Sequence, residues 1–258
     1  MAGPPFYYHS MSSLFVVATP IGNLGDITMR ALEILRGVDT IACEDTRHSL
    51  KLLSHFDIRK PLIPCHANDE ERGAARILGL LDEGKDVAYV SDAGTPGLSD
   101  PGAAAVRLAR SSGHSIVPIP GPSAFSALVS VSGLPGRSIL FEGFLSPKPG
   151  RRRARLATLM TRPESFMVYE SPFRIGKLLA DIAAIDPERP LCIGREMTKI
   201  HEEILAGSAS ALLGRFGTEG RGEFAVIVGP GDGTSVAEEE DSDDGKPSPC
   251  CPSENDVN

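Results

Sequence analysis

Residues 91–102 read SDAGTPGLSDPG, and this stretch decides the fold expected for the chain. It follows the apolar run Val87–Val90 and precedes an alanine-rich segment, Ala103–Ala109, an order typical of a strand, a loop and a helix. The loop holds three glycines, two prolines and two aspartates, and glycine lets a ligand approach the backbone closely. Open α/β sheets bind ligands in such loops, at the carboxyl ends of strands. Taken alone, the stretch is equally compatible with an ordinary strand-to-helix turn.

The same order of strand, loop and helix recurs along the chain. A largely parallel sheet with right-handed crossovers is therefore expected. Gly133–Gly136 marks a break, after which the alternation continues in weaker form. The predicted strands span residues 14–18, 38–43, 62–65, 87–90, 115–119, 138–141, 165–170, 191–196 and 224–228.

Composition favours a soluble cytoplasmic protein. Apolar residues make up 41% of the 258, and no apolar run is long enough to cross a membrane. The N-terminus lacks the features of a signal peptide, and Met11, just before the first strand, is a second candidate start. We interpret Cys43, Cys65 and Cys192 as core thiols in a reducing compartment, because no pair of cysteines has metal-site spacing.

Charge is divided unevenly along the chain. The net charge is −8, but residues 237–258 contain eight acidic residues and one lysine. This tail is rich in Asp, Glu, Ser and Pro, a composition typical of disorder. The remainder is nearly neutral, so the acidity says little about the partners of the folded part.

Three predicted helices start with a proline in the same way. They follow apolar strands at Asp100-Pro101, Gly121-Pro122 and Ser171-Pro172. Because helix N-termini present free N–H groups, we expect them to favour an anionic ligand group. No GxxxxGK[ST], GxGxxG, GxSxG or HExxH motif occurs, so phosphate-loop, dinucleotide, serine-hydrolase and zinc-protease sites lack their signatures.

A basic segment runs from Lys148 to Lys177. It carries eight bases against Glu164 and Glu170. Arginine-rich surface suits a phosphate backbone, although a solvated helix face would have the same composition. We predict RNA contact, with the arginines in an exposed loop that enters a helix. The predicted RNA-binding residues are Lys148, Arg151, Arg152, Arg153 and Arg155.

Polar residues also gather where the predicted strands end. Ordinary caps and ion pairs would account for most of them, and His66 alone is a weak candidate for a base. The set comprises Glu44, Asp45, Arg47, His66, Asp92, Glu170, Arg174, Glu196, Lys199 and Glu223.

Several motifs together resemble a known family. ATPIGNLGDIT (18–28), ACEDTR (42–47), SDAGTPGLSDPG and PGPSA (120–124) resemble the first domain of the tetrapyrrole methylase superfamily. FEGFL (141–145), YESPFR (169–174), REMTK (195–199) and GEF (222–224) narrow the resemblance to its branch of small-subunit ribosomal RNA cytidine 2′-O-methyltransferases. The match runs from about residue 14 to 229. One departure is Ser146-Pro147-Lys148, where relatives often place proline directly after GFL.

The resemblance implies a two-domain α/β fold, with a largely parallel N-terminal sheet and a mixed C-terminal sheet. We expect a loose arm at 1–13, domains at 14–133 and 134–230, and a disordered acidic tail at 231–258. The resemblance also implies S-adenosylmethionine in the cleft between the domains, no metal, and a homodimer. The cofactor contacts that it implies are Pro20, Gly22, Asp92, Gly94, Thr95, Asp100, Ser123, Ala124, Tyr169 and Glu223.

The implied reaction is methyl transfer to the ribose 2′-oxygen of a cytidine in the decoding region of 16S ribosomal RNA, within the small subunit. Such a displacement depends mainly on positioning, and a base that takes the hydroxyl proton would help. The candidates for the base are Glu170, Glu196 and Lys199, while Arg174 would hold a phosphate or orient a carboxylate. A tetrapyrrole-precursor methyltransferase and a non-catalytic RNA-binding module stay open as alternatives.

Overall fold

The computed structural model describes residues 12–66, 69–134, 138–216 and 221–231. Most of the predicted N-terminal arm, both candidate start residues and the predicted acidic tail from residue 232 lie outside these ranges. Among the described residues, no helix combines the length and apolar character needed to cross a membrane.

The first half of the described chain forms a five-stranded parallel sheet, as the alternation predicts. The strand order is β3-β2-β4-β1-β5, and every pairing is parallel. The strands are β1 (Ser13–Val17), β2 (Thr40–Cys43), β3 (Leu62–Pro64), β4 (Val87–Val90) and β5 (Ser115–Ile119). The helices are α1 (Met29–Gly37), α2 (Thr46–His55), α3 (Glu70–Asp82), α4 (Ala103–Ser111) and α5 (Ala124–Ser132).

The second half forms a mixed sheet, which confirms the other part of the predicted fold. Its order is β6-β7-β10-β8-β9; β6 pairs with β7 in parallel, and the other pairings are antiparallel. The strands are β6 (Ile139–Phe144), β7 (Ser165–Glu170), β8 (Pro190–Arg195), β9 (Glu203–Ser208) and β10 (Phe224–Val228). The helices are α6 (Pro149–Met160), α7 (Ile175–Ile185) and α8 (Ala209–Phe216). The division into domains at 133/134 coincides with the change of sheet and stays a proposal.

The hydrophobic pattern explains why these elements pack as they do. Every residue of β2, β4 and β10 is buried, as expected for strands covered on both faces. On α7, Ile175, Leu178, Leu179 and Ile182 are fully buried and, at their helical spacing, form an apolar stripe on one face. The edge strand β9 was not predicted, because its apolar run at 204–206 is only three residues long and none of its residues is fully buried.

The positions of the proline-marked helix starts were wrong by two or three residues. The helices begin at Ala103, Ala124 and Ile175, after the prolines rather than on them. Before α4, Gly102 has a φ of 133°, and a Cβ there would lie 2.8 Å from the Tyr89 ring. The N-cap of α4 is Gly102, which makes no side-chain cap hydrogen bond, so Asp100 does not cap this helix.

Candidate functional site

Three loops of the parallel sheet are joined at the carboxyl ends of β1, β4 and β5. The backbone N–H of Thr19 donates to the Gly94 carbonyl at 2.9 Å, and Gly94 donates back to Thr19 at 3.0 Å. The Thr95 hydroxyl donates to the Pro122 carbonyl at 3.3 Å. Residues 91–102 thus form the middle of three connected loops rather than an isolated turn.

Backbone conformation explains the glycines of this loop. Gly94 and Gly97 have φ values of 79° and 83°, in the region that other residues avoid. Ser99 also has a positive φ, 67°. A Cβ on Gly143 of β6 would lie 2.6 Å from the Ser99 hydroxyl oxygen. The glycine of FEGFL therefore lets the second sheet touch the loop of the first.

A cleft of about 360 Å³ lies where the two sheets meet. The first sheet contributes loop residues and the second contributes strand ends. Seven predicted cofactor contacts line it together: Gly94, Thr95, Asp100, Ser123, Ala124, Tyr169 and Glu223.

The remaining three predicted contacts line an adjoining depression. Pro20, Gly22 and Asp92 lie there, and Glu223 borders both spaces. A Cβ on Gly22 would come within 2.5 Å of Lys199 Cγ, so glycine allows this loop to pack against the second sheet. The structure thus brings all ten residues to one continuous region.

The cleft is acidic. Asp100, Glu170 and Glu223 line it, and none of the lining residues in the described part of the chain is a lysine or arginine. Burial and the nearby charge of Asp92 raise the pKa of Asp100, while a hydrogen bond from Ser91 opposes the shift. Glu170 and Glu223 are each paired with a base outside the lining, Arg174 and Lys199, so Asp100 is the lining acid without an ion pair among the described residues, and its charge favours a cationic ligand group.

The expectation that helix starts here bind an anion needs correction. The backbone N–H groups of Gly102 and Ala104 already donate to Glu70 Oε1, at 2.8 and 3.0 Å. At the start of α5, the Phe125 N–H bonds to the Tyr169 hydroxyl, whose pKa is nevertheless raised by burial to about 12. The protein itself therefore uses the donors of α4 and one donor of α5.

Glu170 is the most constrained acid of the cleft. Its side chain is 0% exposed, and Oε1 accepts from Arg174 Nη2 at 2.6 Å and from the Ser171 N–H at 2.7 Å. Its Oε2 is buried without a hydrogen-bond partner among the described residues. A buried, unpartnered carboxylate oxygen costs free energy, and a ligand that donates to it would relieve this cost.

Arg174 holds that carboxylate in place. Besides Glu170, it donates through Nε to the Ser171 hydroxyl at 3.3 Å and through Nη1 to the Leu145 carbonyl at 3.4 Å. Of its two predicted roles, this geometry favours orientation of a carboxylate over binding of a phosphate.

Lys199 is unsuited to act as a base. Its Nζ lies 3.0 Å from Glu196 Oε1 and 2.8 Å from Glu223 Oε2. Burial alone would lower its pKa, but hydrogen bonds to Glu223 and Glu196 give a net rise. Lys199 in turn lowers the pKa of Glu196. At neutral pH Lys199 is protonated and cannot accept a proton, and the lowered pKa makes Glu196 a weaker base, so the pair is better suited to hold Glu223 than to remove a proton.

The basic segment differs from the prediction. Arg151, Arg152 and Arg153 lie in the first turns of α6, not in a loop. Arg152 is 4% exposed, and its Nη2 lies 2.6 Å from Asp181 Oδ2. It is therefore unavailable to RNA, and its assignment to the RNA-binding set was wrong.

The exposed bases of α6 fall into two groups. Arg153 pairs with Asp181 at 2.8 Å, and Arg155 makes two contacts of 2.7 Å with Glu142. Lys148 and Arg151 are exposed and have no ion pair within the described ranges. These two residues are the best placed for RNA.

Sequence reasoning missed several residues that line the cleft. Ile21, Met197 and Phe144 supply apolar surface there. Each lies inside a quoted motif, beside the residue that drew attention for its charge or backbone freedom. The signal in the sequence was their place inside a motif, because the spacing of apolar residues does not distinguish residues that line a cleft from residues of the core.

Comparison with known proteins identifies the family. Residues 13–213 match the family described as Tetrapyrrole (Corrin/Porphyrin) Methylases. A Xylella fastidiosa protein named Ribosomal RNA small subunit methyltransferase I is 47% identical over 84% of this chain and 81% of its own length. The chain belongs to the ribosomal RNA small subunit methyltransferase I family. Another relative of that name, from Borrelia garinii, is 44% identical over 83% of this chain and 97% of its own length.

Solved structures agree on the fold of this family member. Uroporphyrin-III-C-methyltransferase from Thermus thermophilus has a TM-score of 0.62 at 21% identity, covering 84% of this chain and 94% of that one. Diphthine synthase has a TM-score of 0.63 at 17% identity, with coverage of 84% and 90%. At such identities the likeness concerns the fold alone.

Proposed function

We propose that the chain transfers a methyl group from S-adenosylmethionine to the ribose 2′-oxygen of a cytidine in the decoding region of 16S ribosomal RNA. The observation that carries the proposal is the acidic cleft, with the buried Glu170 and its unpartnered oxygen at its wall. The family supports it, since relatives 43–47% identical are named for methylation of small-subunit ribosomal RNA.

The cleft fits the proposed cofactor. S-adenosylmethionine supplies an electrophilic methyl group on a positively charged sulfonium. Asp100 and Glu223 offer negative charge to that cation. Ile21, Tyr169 and Met197 offer apolar surface suited to a flat base. No metal is needed for this chemistry.

The chain's own residues would then position and deprotonate the acceptor. Glu170 Oε2 has no hydrogen-bond partner among the described residues and would accept the hydrogen of a ribose hydroxyl once ligand binding exposes this buried atom, while Arg174 and the Ser171 N–H fix Oε1. A positioned acceptor of this kind contributes about 100- to 10,000-fold to a rate. We therefore favour Glu170 over Glu196 as the base.

The RNA would approach over Arg151 of α6 and Lys148, the residue before this helix, which are exposed and have no ion pair among the described residues. Assembly as a homodimer, action on the small subunit and a cytoplasmic location belong to the same proposal. They are supported by the sequence resemblance and by the names of the relatives.

Arg151→Ala is expected to weaken RNA binding about equally for different sequences and to reduce the slope of log Kd against log salt by about 1. Arg152→Met should leave that slope unchanged, because the buried Arg152 faces Asp181. Titration of small subunits at several salt concentrations checks both variants. Equal slope changes for the two would contradict the assignment.

Asp100→Asn is expected to weaken cofactor binding about 10- to 100-fold, since one charged partner of the ligand is lost. It should also raise the melting temperature at pH 7. The folded-state pKa of Asp100 is raised by burial, so its ionised form opposes folding. This gain should disappear as the pH falls through that pKa and Asp100 takes up a proton.

Calorimetry and thermal melts from pH 3 to 8 check these effects, with Asp57→Asn as the control. Asp57 is 87% exposed and lies away from the cleft. A lower melting temperature for Asp100→Asn at pH 7, or unchanged cofactor affinity, would count against this role.

The proposed function is tested by offering alternative methyl acceptors. The protein is incubated with labelled S-adenosylmethionine and one acceptor at a time. The acceptors are small subunits from a strain lacking the enzyme, free 16S ribosomal RNA, and uroporphyrinogen III. We expect label in RNA. Label in the tetrapyrrole would favour the first alternative, and cofactor binding without transfer to any acceptor would contradict the proposed activity.

A further inference from the structure

Two exposed aromatic side chains belong to the segments that border the cleft. Phe144 is 57% exposed and Phe173 is 74% exposed, and they are the only exposed phenylalanines among the described residues. Phe144 lines the cleft, and Phe173 directly follows the cleft residues Ser171 and Pro172. Exposed aromatic rings beside a site indicate a binding surface.

The segments that carry the two rings, the end of β6 and the turn before α7, are joined through Arg174. Arg174 donates to the Leu145 carbonyl, next to Phe144, and also to the hydroxyl of Ser171. The same guanidinium pairs with Glu170 at 2.6 Å. The segments that carry Phe144 and Phe173 are therefore fixed relative to the Glu170 carboxylate, which would act on the ribose.

The Phe144 ring also packs against other aromatic side chains. Its ring makes an edge contact with Tyr169 at 5.7 Å between centroids, and Tyr169 contacts Phe141 at 5.1 Å. Phe141 in turn contacts Phe125 of α5 at 5.5 Å. This series of edge contacts holds the exposed ring while leaving much of its surface to solvent.

The surroundings indicate what would cover these rings. Lys148 is four residues after Phe144, and both Lys148 and Arg151 are exposed without an ion pair in the described ranges. Aromatic rings beside unpaired cations are the combination that binds single-stranded nucleic acid, through stacking of bases and contact with phosphates.

We propose that Phe144 and Phe173 form a stacking platform that receives the target nucleotide's base once it has left the RNA stack. The platform rests on the proposed function and specifies its substrate: an unpaired nucleotide whose base stacks outside the cleft while its ribose faces Glu170. Enzymes that modify one nucleotide commonly extrude it in this way and stack its base on aromatic side chains. Because stacking tolerates any base, the platform positions the nucleotide without selecting cytosine.

The test compares Phe144→Leu and Phe173→Leu with Phe144→Tyr and Phe173→Tyr. Leucine keeps apolar surface but removes the aromatic face, whereas tyrosine retains that face. Met29→Ala is the matched control, because Met29 is 73% exposed and does not line the cleft. The measurements are kcat and KM for small subunits, calorimetric cofactor affinity, and the fluorescence of a short single-stranded RNA carrying one pyrrolocytosine.

Each leucine variant is expected to lower kcat/KM for RNA about 10- to 100-fold. Pyrrolocytosine quenching should be lost, while the cofactor affinity of Phe173→Leu, whose ring does not line the cleft, should stay within about twofold of wild type. The tyrosine variants should restore both RNA readouts, and Met29→Ala should change neither.

Three results would overturn the proposal. Leucine variants with unchanged kcat/KM and quenching would exclude stacking, and an equal loss of cofactor affinity would make the rings cofactor contacts. A change in oligomer mass by light scattering would assign the rings to an interface between copies. Failure of wild type to methylate any RNA would instead contradict the proposed function, and the pyrrolocytosine readout would still decide on stacking.

Discussion

Glu170→Gln is expected to slow methyl transfer by about 100- to 10,000-fold at saturating cofactor and RNA. The amide keeps the shape of the carboxylate and can still accept from Arg174 and the Ser171 N–H, which both bind Oε1. The amide NH2 group that replaces Oε2 can only donate hydrogen bonds, so it can no longer accept the hydrogen of the ribose hydroxyl. Single-turnover kinetics measure the loss without interference from product release.

The matched control is Glu164→Gln. Glu164 is paired with Arg162 at 3.0 Å and does not line the cleft, so its loss should change the rate by less than about twofold. Calorimetry of cofactor binding and a thermal melt show whether the Glu170 variant is folded and competent to bind. A folded variant with normal turnover would remove Glu170 from the chemistry and leave positioning alone.

Asp181→Ala is expected to lower the free energy of unfolding by about 3 to 5 kcal/mol. Arg152 and Asp181 have side chains that are 5% and 7% exposed and lie 2.6 Å apart. Removing the carboxylate leaves a buried guanidinium without its counter-charge. Denaturant titration measures the change, provided that the unfolding slope stays constant.

Glu71→Ala provides the comparison for this pair. Arg107 and Glu71 are 68% and 83% exposed and 3.5 Å apart, so breaking this pair should cost less than about 1 kcal/mol. A double variant, Arg152→Met with Asp181→Leu, should recover most of the Asp181→Ala loss, since no buried charge stays unpaired. Equal losses for Asp181→Ala and Glu71→Ala would contradict the structural role of Arg152.

The alternation of strands and helices predicted the parallel sheet, and the family resemblance implied the mixed second sheet. The buried runs 87–90 and 224–228 are continuous and apolar, so their place at the centre of a sheet follows directly from the sequence. The edge strand β9 could not be predicted in this way, because an edge strand needs little burial and carries little apolar signal.

The candidate site was predicted in its residues better than in its electrostatics. The glycines and acids of the three loops could be placed at strand ends, and the resemblance linked Tyr169 and Glu223 to the same cofactor. The use of the α4 donors by Glu70 depends on a contact between helices distant in sequence, at 2.8 Å. Such a contact has no local signature, and it occupies two N–H donors that were expected to bind an anion.

The number of arginines was also misleading, because the partner of Arg152 is distant in sequence. The run Arg151-Arg152-Arg153 looks uniformly exposed, yet helical geometry turns its middle member inward, toward Asp181 on α7. The one-letter pattern contains no sign of that partner. Charge counts along a helix therefore overestimate the surface available to a nucleic acid.

The most direct measurement of the central claim is the identity of the methylated nucleoside. Small subunits from a strain lacking the enzyme are treated with the wild-type protein and S-adenosylmethionine, and their ribosomal RNA is digested and separated by chromatography with mass detection. The account predicts that a single new nucleoside forms, 2′-O-methylcytidine, and that Glu170→Gln yields almost none of it. A methyl group on a base, or on a ribosomal protein, would contradict it.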